Sequence, residues 1–187
     1  MQFVNPIRDL ETIQAMKDEL RKHSVRDLLL FVLGINTGIS LLDLLNLTVQ
    51  DVWDGQNAKQ YLYIKDERTG EEKAYYLNSK VGEILFEYLS NNDWKSEDYL
   101  FKSKKDCRPI TRQQAYRIIN HSAREVGILE KIGTHTLRKT FGYHAYYRGV
   151  AISILKSILH HHSTAETLKY LGIDKTEKRT VKVDVNL

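Results

Sequence analysis

The 187-residue chain carries 28 Lys plus Arg against 24 Asp plus Glu, a net charge of +4, with a pI near 9.0. That length suits one domain with a full core rather than two, and the ordinary composition excludes disordered and fibrous classes. The basic lean points weakly to a polyanionic partner. A single cysteine, Cys107, excludes an intrachain disulfide and fits a cytoplasmic, reducing setting as a surface thiol. The most apolar run, Leu28 to Ile35, falls far short of the roughly 20 residues that cross a bilayer, so no membrane partner is expected.

After Pro6, the spacing of Leu10, Ile13, Met16 and Leu20 predicts a helix with Asp9 as its N-cap. Ser24 is expected to cap a second, Val25 to about Asn36, whose apolar residues surround it and place it in the core. Gly38 separates it from a third, Leu41 to Asn46. From Tyr61 the period changes to two. Tyr61, Tyr63 and Lys65 alternate with Leu62 and Ile64, then Arg68-Thr69-Gly70 precedes Lys73 to Leu77, which predicts a β-hairpin turning at Gly70. Asn78 caps a helix from Ser79 to about Asn91, and Tyr99-Leu100-Phe101 is expected to add a third strand. Four helices follow: Arg112 to Val126 behind Thr111, Thr136 to Tyr147, Ile152 to Leu159, and Thr164 to about Gly172. The fold class is mostly α with a small antiparallel β-sheet.

Three segments can carry chemistry. His135 and Arg138, three residues apart at a helix start, share one face and can address one phosphate together with the helix N–H groups. His160-His161-His162 precedes Tyr170; adjacent side chains diverge and no second ligand pair follows, so no metal is expected. The hairpin brings Lys65, Arg68 and Lys73 to one tip. A further basic cluster, Lys102, Lys104, Lys105, Arg108 and Arg112, leads into a helix.

In order and spacing these segments resemble the tyrosine site-specific recombinases of the phage-integrase family. That family has T-G-L-R-x-x-E-L, a hairpin lysine, H-x-L-R, and a His nine residues before its nucleophilic tyrosine. Here Thr37-Gly38-Ile39-Ser40-Leu41-Leu42-Asp43-Leu44 is similar to the first box and Arg68-Thr69-Gly70 to the hairpin. His135-Thr136-Leu137-Arg138-Lys139-Thr140-Phe141 is similar to the second box, and His161 with Tyr170 to the third.

The resemblance covers nearly the whole chain. It implies an integrase-like catalytic domain over residues 1–187, without the family's N-terminal core-binding domain. It also implies cleavage and rejoining of double-stranded DNA through a 3′-phosphotyrosine on Tyr170, without cofactor or metal. Arg138 stabilises phosphoryl charge, His135 moves a proton and His161 bonds the phosphate. Lys65, Lys73, Lys102, Lys104, Lys105, Arg108, Arg112 and Lys139 are the expected DNA contacts. The tail after Ile173 is expected to mediate self-association on DNA, as family tails do. Two catalytic positions depart from the pattern. Ser40 stands at the first arginine and Arg68, a poor proton donor, at the hairpin lysine. These departures leave a second expectation open, that of a catalytically impaired DNA-binding relative.

Overall fold

A computed structural model describes residues 4–65, 70–90 and 93–174. The chain begins with α1 (Leu10–His23), where the Asp9 carboxylate accepts the Thr12 N–H at 2.6 Å as the sequence predicts. Ile13, Met16 and Leu20 form its buried stripe, while Leu10 is 62% exposed and lies outside it. Ser24 does not cap α2 (Val25–Thr37) through its side chain. Its extended backbone ends α1 instead, with its N–H donating to Leu20 O at 2.9 Å. Leu28 to Leu33 are buried all round, so α2 is the central helix, packed against α1, α3 (Leu41–Asn46), α5 (Ser79–Leu89) and α7 (Thr134–Tyr147).

Gly38 ends α2 at φ 70°, a left-handed conformation, and a Cβ there would collide with the Phe141 ring on α7. A short α4 (Val49–Val52) follows, too brief to show a period in sequence. β1 (Tyr61–Lys65) and β2 (Glu72–Tyr76) pair antiparallel, with Tyr61 opposite Tyr76 and Lys65 opposite Glu72. Gly70 has φ 71°, consistent with its expected turn duty, whereas Arg68 and Thr69 lie outside the described residues.

Tyr99-Leu100-Phe101 forms no third strand. Its backbone partners lie on different elements, Leu100 N–H donating to Leu47 O and Phe101 O accepting from Ile110 N–H, each at 2.8 Å. Each side stops at one isolated antiparallel bridge, Tyr99 with Thr48 and Lys102 with Pro109, so no ladder extends, and the segment serves as an apolar plug with Leu100 and Phe101 fully buried.

The second half consists of α6 (Arg112–Glu125), capped by Thr111, then α7, α8 (Ile152–Ile158) and α9 (Thr164–Leu171). Two apolar clusters result among the described residues. The larger surrounds α2, and the smaller gathers Leu155, Leu159, Leu171 and Ile173 with Phe141 on α7. Helix α7 is the wall between them.

The N-terminal segment straps the last helices in place. Ile7 N–H donates to Thr140 Oγ1, and Ile7 O lies 2.9 Å from His144 Nε2. Arg8 Nη2 donates to Gly172 O at 2.9 Å, at the end of α9. These contacts span more than 130 residues of chain and hold α7 and α9 in fixed relation.

Candidate active site

The first turn of α7 presents His135 and Arg138, and α9 turns Tyr170 back toward them. Tyr170 Oη lies 3.4 Å from His135 Nδ1, at the outer edge of hydrogen-bond contact. The His161 ring meets the Tyr170 ring edge-on, with centroids 4.8 Å apart. Arg138 Nη2 donates to Ile158 O at 2.7 Å, which fixes the guanidinium against the end of α8. Its Nε is buried and finds no partner among the described residues. A buried, unpaired N–H is costly unless an acceptor arrives.

The electrostatics follow from this grouping. Burial raises the Tyr170 phenol above its ordinary range, and the nearby Arg138 charge opposes that rise. Burial lowers His135, reinforced by the charges of Arg138, Lys139 and Arg112. Burial also lowers His161, with Glu166 pulling the other way. His161 Nδ1 lies 3.1 Å from Thr167 Oγ1, whose own proton goes to Ser163 O at 3.0 Å. A hydroxyl has one proton to give, so His161 Nδ1 must be the donor in that contact. Its Nε2 therefore donates to a phosphate oxygen only in the imidazolium form.

Arg138 also borders a cleft of about 650 Å³ lined by Ser40, Asp43, Lys65, Lys73, Tyr75 and His160 among others. Ser40 turns its hydroxyl away from catalytic duty. It donates to Asp43 Oδ2 at 2.6 Å and accepts the Asp43 N–H at 3.2 Å, so it is the N-cap of α3. Lys73 Nζ lies 2.9 Å from His160 Nδ1 and 3.8 Å from Glu71 Oε2. His160 has φ 56°, an uncommon left-handed conformation for a residue other than glycine.

The structure thus brings His135, Arg138, His161 and Tyr170 together, and puts Lys65 and Lys73 on the cleft that Arg138 borders. Lys139 is corrected. It is 4% exposed, donates to Val4 O at 2.8 Å and sits 4.9 Å above the Tyr170 ring, so it packs against Tyr170 and leaves little surface to meet DNA. Lys102 is likewise held, paired with Asp98 at 2.9 Å, while Lys104, Lys105, Arg108 and Arg112 are exposed. Sequence reasoning missed Asp43, Thr167 and the Lys73–His160 contact. Only Asp43 had a local signal, its position three residues after Ser40.

A mostly helical domain in which a tyrosine meets two histidines, with an arginine on the same helix turn as one of them, defines the class of the tyrosine recombinases. The sequence pattern described as the phage integrase family matches residues 8–177. The chain is 43% identical to "Probable integrase/recombinase YoeC" of Bacillus subtilis (strain 168), over 96% of this chain and 95% of that one. It is 30% identical to "Tyrosine recombinase" of Pseudothermotoga lettingae, over 86% of this chain and 54% of that one. Among solved structures, a XerA recombinase superposes with TM-score 0.75 at 20% identity, covering 94% of this chain and 61% of that one. XerH bound to its palindromic difH substrate gives 0.71 at 20% identity, covering 92% and 49%. The chain belongs to the phage integrase family of tyrosine recombinases. It spans nearly all of the Bacillus relative and about half of the Pseudothermotoga one.

Proposed function

We propose that the chain is the catalytic domain of a site-specific recombinase, acting in the cytoplasm on double-stranded DNA. The observation that carries this reading is the convergence of Tyr170 on His135, 3.4 Å away, with Arg138 on the same face of α7 and its guanidinium anchored to Ile158 O. Tyr170 Oη attacks a backbone phosphorus and gives its proton to His135, which burial and neighbouring cations keep neutral. The bond from phosphorus to the 5′-oxygen breaks. The enzyme keeps the 3′-phosphate as a phosphotyrosine, and the 5′-oxygen takes a proton from solvent. Arg138 stabilises charge on the nonbridging oxygens, and the bound phosphate's own charge raises His161 toward the imidazolium form in which its Nε2 donates to them.

The Ser40 departure favours a binding-only module; the assembled tyrosine cluster weighs for the enzyme. Self-association through the tail after Ile173 is proposed from the family resemblance, and truncation after Asp174 followed by sedimentation on DNA tests it. For the chemistry itself, the chain is incubated with a pool of nicked, randomised duplexes and covalent complexes are recovered after denaturation. Adducts enriched for one site, and absent with Tyr170→Phe, are expected. Equal yields from both proteins, or none from either, would overturn the enzymatic reading.

A further inference from the structure

We infer that Lys73 is the second cation of the phosphoryl site, filling the charge role that Ser40 leaves vacant, and that His160 is the positioning residue that holds it there. This rests on the recombinase reading above.

Ser40 cannot serve as the cation, because its hydroxyl is neutral, with its proton given to Asp43 Oδ2 and one lone pair accepting the Asp43 N–H. The cleft it borders is nevertheless lined by two lysines, Lys65 and Lys73, as well as by Arg138. They are not equivalent. Lys65 ends β1 at the exposed edge of the hairpin. Lys73, opposite Ile64 in the ladder, is only 21% exposed and is drawn inward to the segment that follows α8.

That segment organises three parts of the site within four residues. Ile158 O anchors Arg138, His160 Nδ1 receives Lys73 Nζ at 2.9 Å, and His161 packs on Tyr170. An ammonium has only protons to offer, so His160 meets it as a neutral imidazole and accepts. His160, in its left-handed backbone conformation, reaches Lys73 on β2 while the next residue, His161, packs on Tyr170. Lys73 also has Glu71 Oε2 at 3.8 Å, a contact on an exposed carboxylate that a phosphodiester can displace. Two cations, Arg138 fixed from α8 and Lys73 fixed from the following turn, then bracket one phosphate in the cleft.

The test compares wild type, Lys73→Met, Lys73→Arg and His160→Gly, each checked for an unchanged thermal midpoint. Two quantities are read: duplex affinity as a function of salt, and the rate of covalent adduct formation on the nicked pool. Lys73→Met is expected to flatten the slope of log affinity against log salt by about 0.9 and to slow adduct formation about 10²-fold. Lys73→Arg keeps the charge and should retain most of both. His160→Gly keeps the backbone conformation and the ammonium, so the slope should hold while the adduct rate falls. Wild-type slope and rate in Lys73→Met would overturn the proposal, as would Lys73→Arg as defective as Lys73→Met. If wild type binds duplex but forms no adduct, the recombinase reading fails and the salt slope alone decides Lys73. A chain that binds no duplex overturns both.

Discussion

Asp43 lies where a guanidinium at position 40 would need a partner, three residues on along α3 and facing the same cleft. Ser40→Arg loses the hydroxyl cap, a cost of about 1 kcal/mol, yet places a cation between Asp43 and the phosphate position. Adduct formation should rise by orders of magnitude, and the gain should vanish when Tyr170→Phe is added. Ser40→Arg should also rescue Lys73→Met, because either cation can then serve the same phosphate. The histidines give a pH prediction whose sign is fixed by burial. His135 and His161 both titrate below the ordinary histidine range in the folded chain. Between those lowered values and the unfolded value of about 6.5, the unfolded chain binds more protons, so stability falls as pH drops through that window. Urea midpoints measured from pH 7.5 to 5 should show this fall, and the double variant His135→Ala, His161→Ala should flatten it. An equal slope in the variant would remove both histidines from the account.

Helix α7 touches the main core on one side and α9 on the other, and small residues permit both approaches. At Gly142 a Cβ would come within 2.5 Å of Leu171 Cδ2 and 3.4 Å of Leu159 Cδ1. Gly142→Ala therefore displaces α9, the helix that carries Tyr170. Overpacking of this kind costs about 1–3 kcal/mol, and here it falls on the smaller cluster. Hydrogen exchange should quicken in α8 and α9 while α2 keeps its protection, and adduct formation should fall. Uniform loss of protection would instead mean that the two clusters unfold as one.

Much of this arrangement was legible in sequence where a period or a cap expressed it. The all-round apolar α2, the Asp9, Asn78 and Thr111 caps and the alternating β1 were read correctly. Ser24 holds the expected N-cap position of α2 but makes no side-chain bond there, and the third strand was not read correctly, because three apolar residues carry no period. In the site, His135, Arg138, His161 and Tyr170 were legible because each pair is separated by helical or motif spacing. Lys139 was misread because α7 buries polar residues beside Leu137, with Thr136, Lys139 and Thr140 at helical spacing. Polarity there hides burial instead of reporting exposure. Lys73 and His160 meet across 87 residues, a contact no local pattern encodes.

Across the whole molecule the excess positive charge is unevenly available. Of the basic cluster before α6, Lys102 is neutralised by Asp98, and its carbonyl is held by Arg26, itself paired with Asp27. Lys104, Lys105, Arg108 and Arg112 remain exposed, and Arg112 lies close enough to lower His135. The strip thus runs from the surface loop to the border of the active site, a placement suited to carrying a DNA backbone into it. If Lys104 and Lys105 each neutralise a phosphate, replacing both by Ala should flatten the salt slope by about one to two units. Lys102→Ala should leave the slope unchanged, because its charge is already spent on Asp98. Arg112→Ala should act twice, once on the slope and once on chemistry. Removing its charge lets the His135 pKa rise, so the acidic limb of adduct formation should move to higher pH. Salt titrations of duplex binding and pH profiles of adduct formation separate the two effects. A slope lost in Lys102→Ala but kept in the Lys104→Ala, Lys105→Ala double variant would show the DNA path running along the Asp98 side of the loop instead.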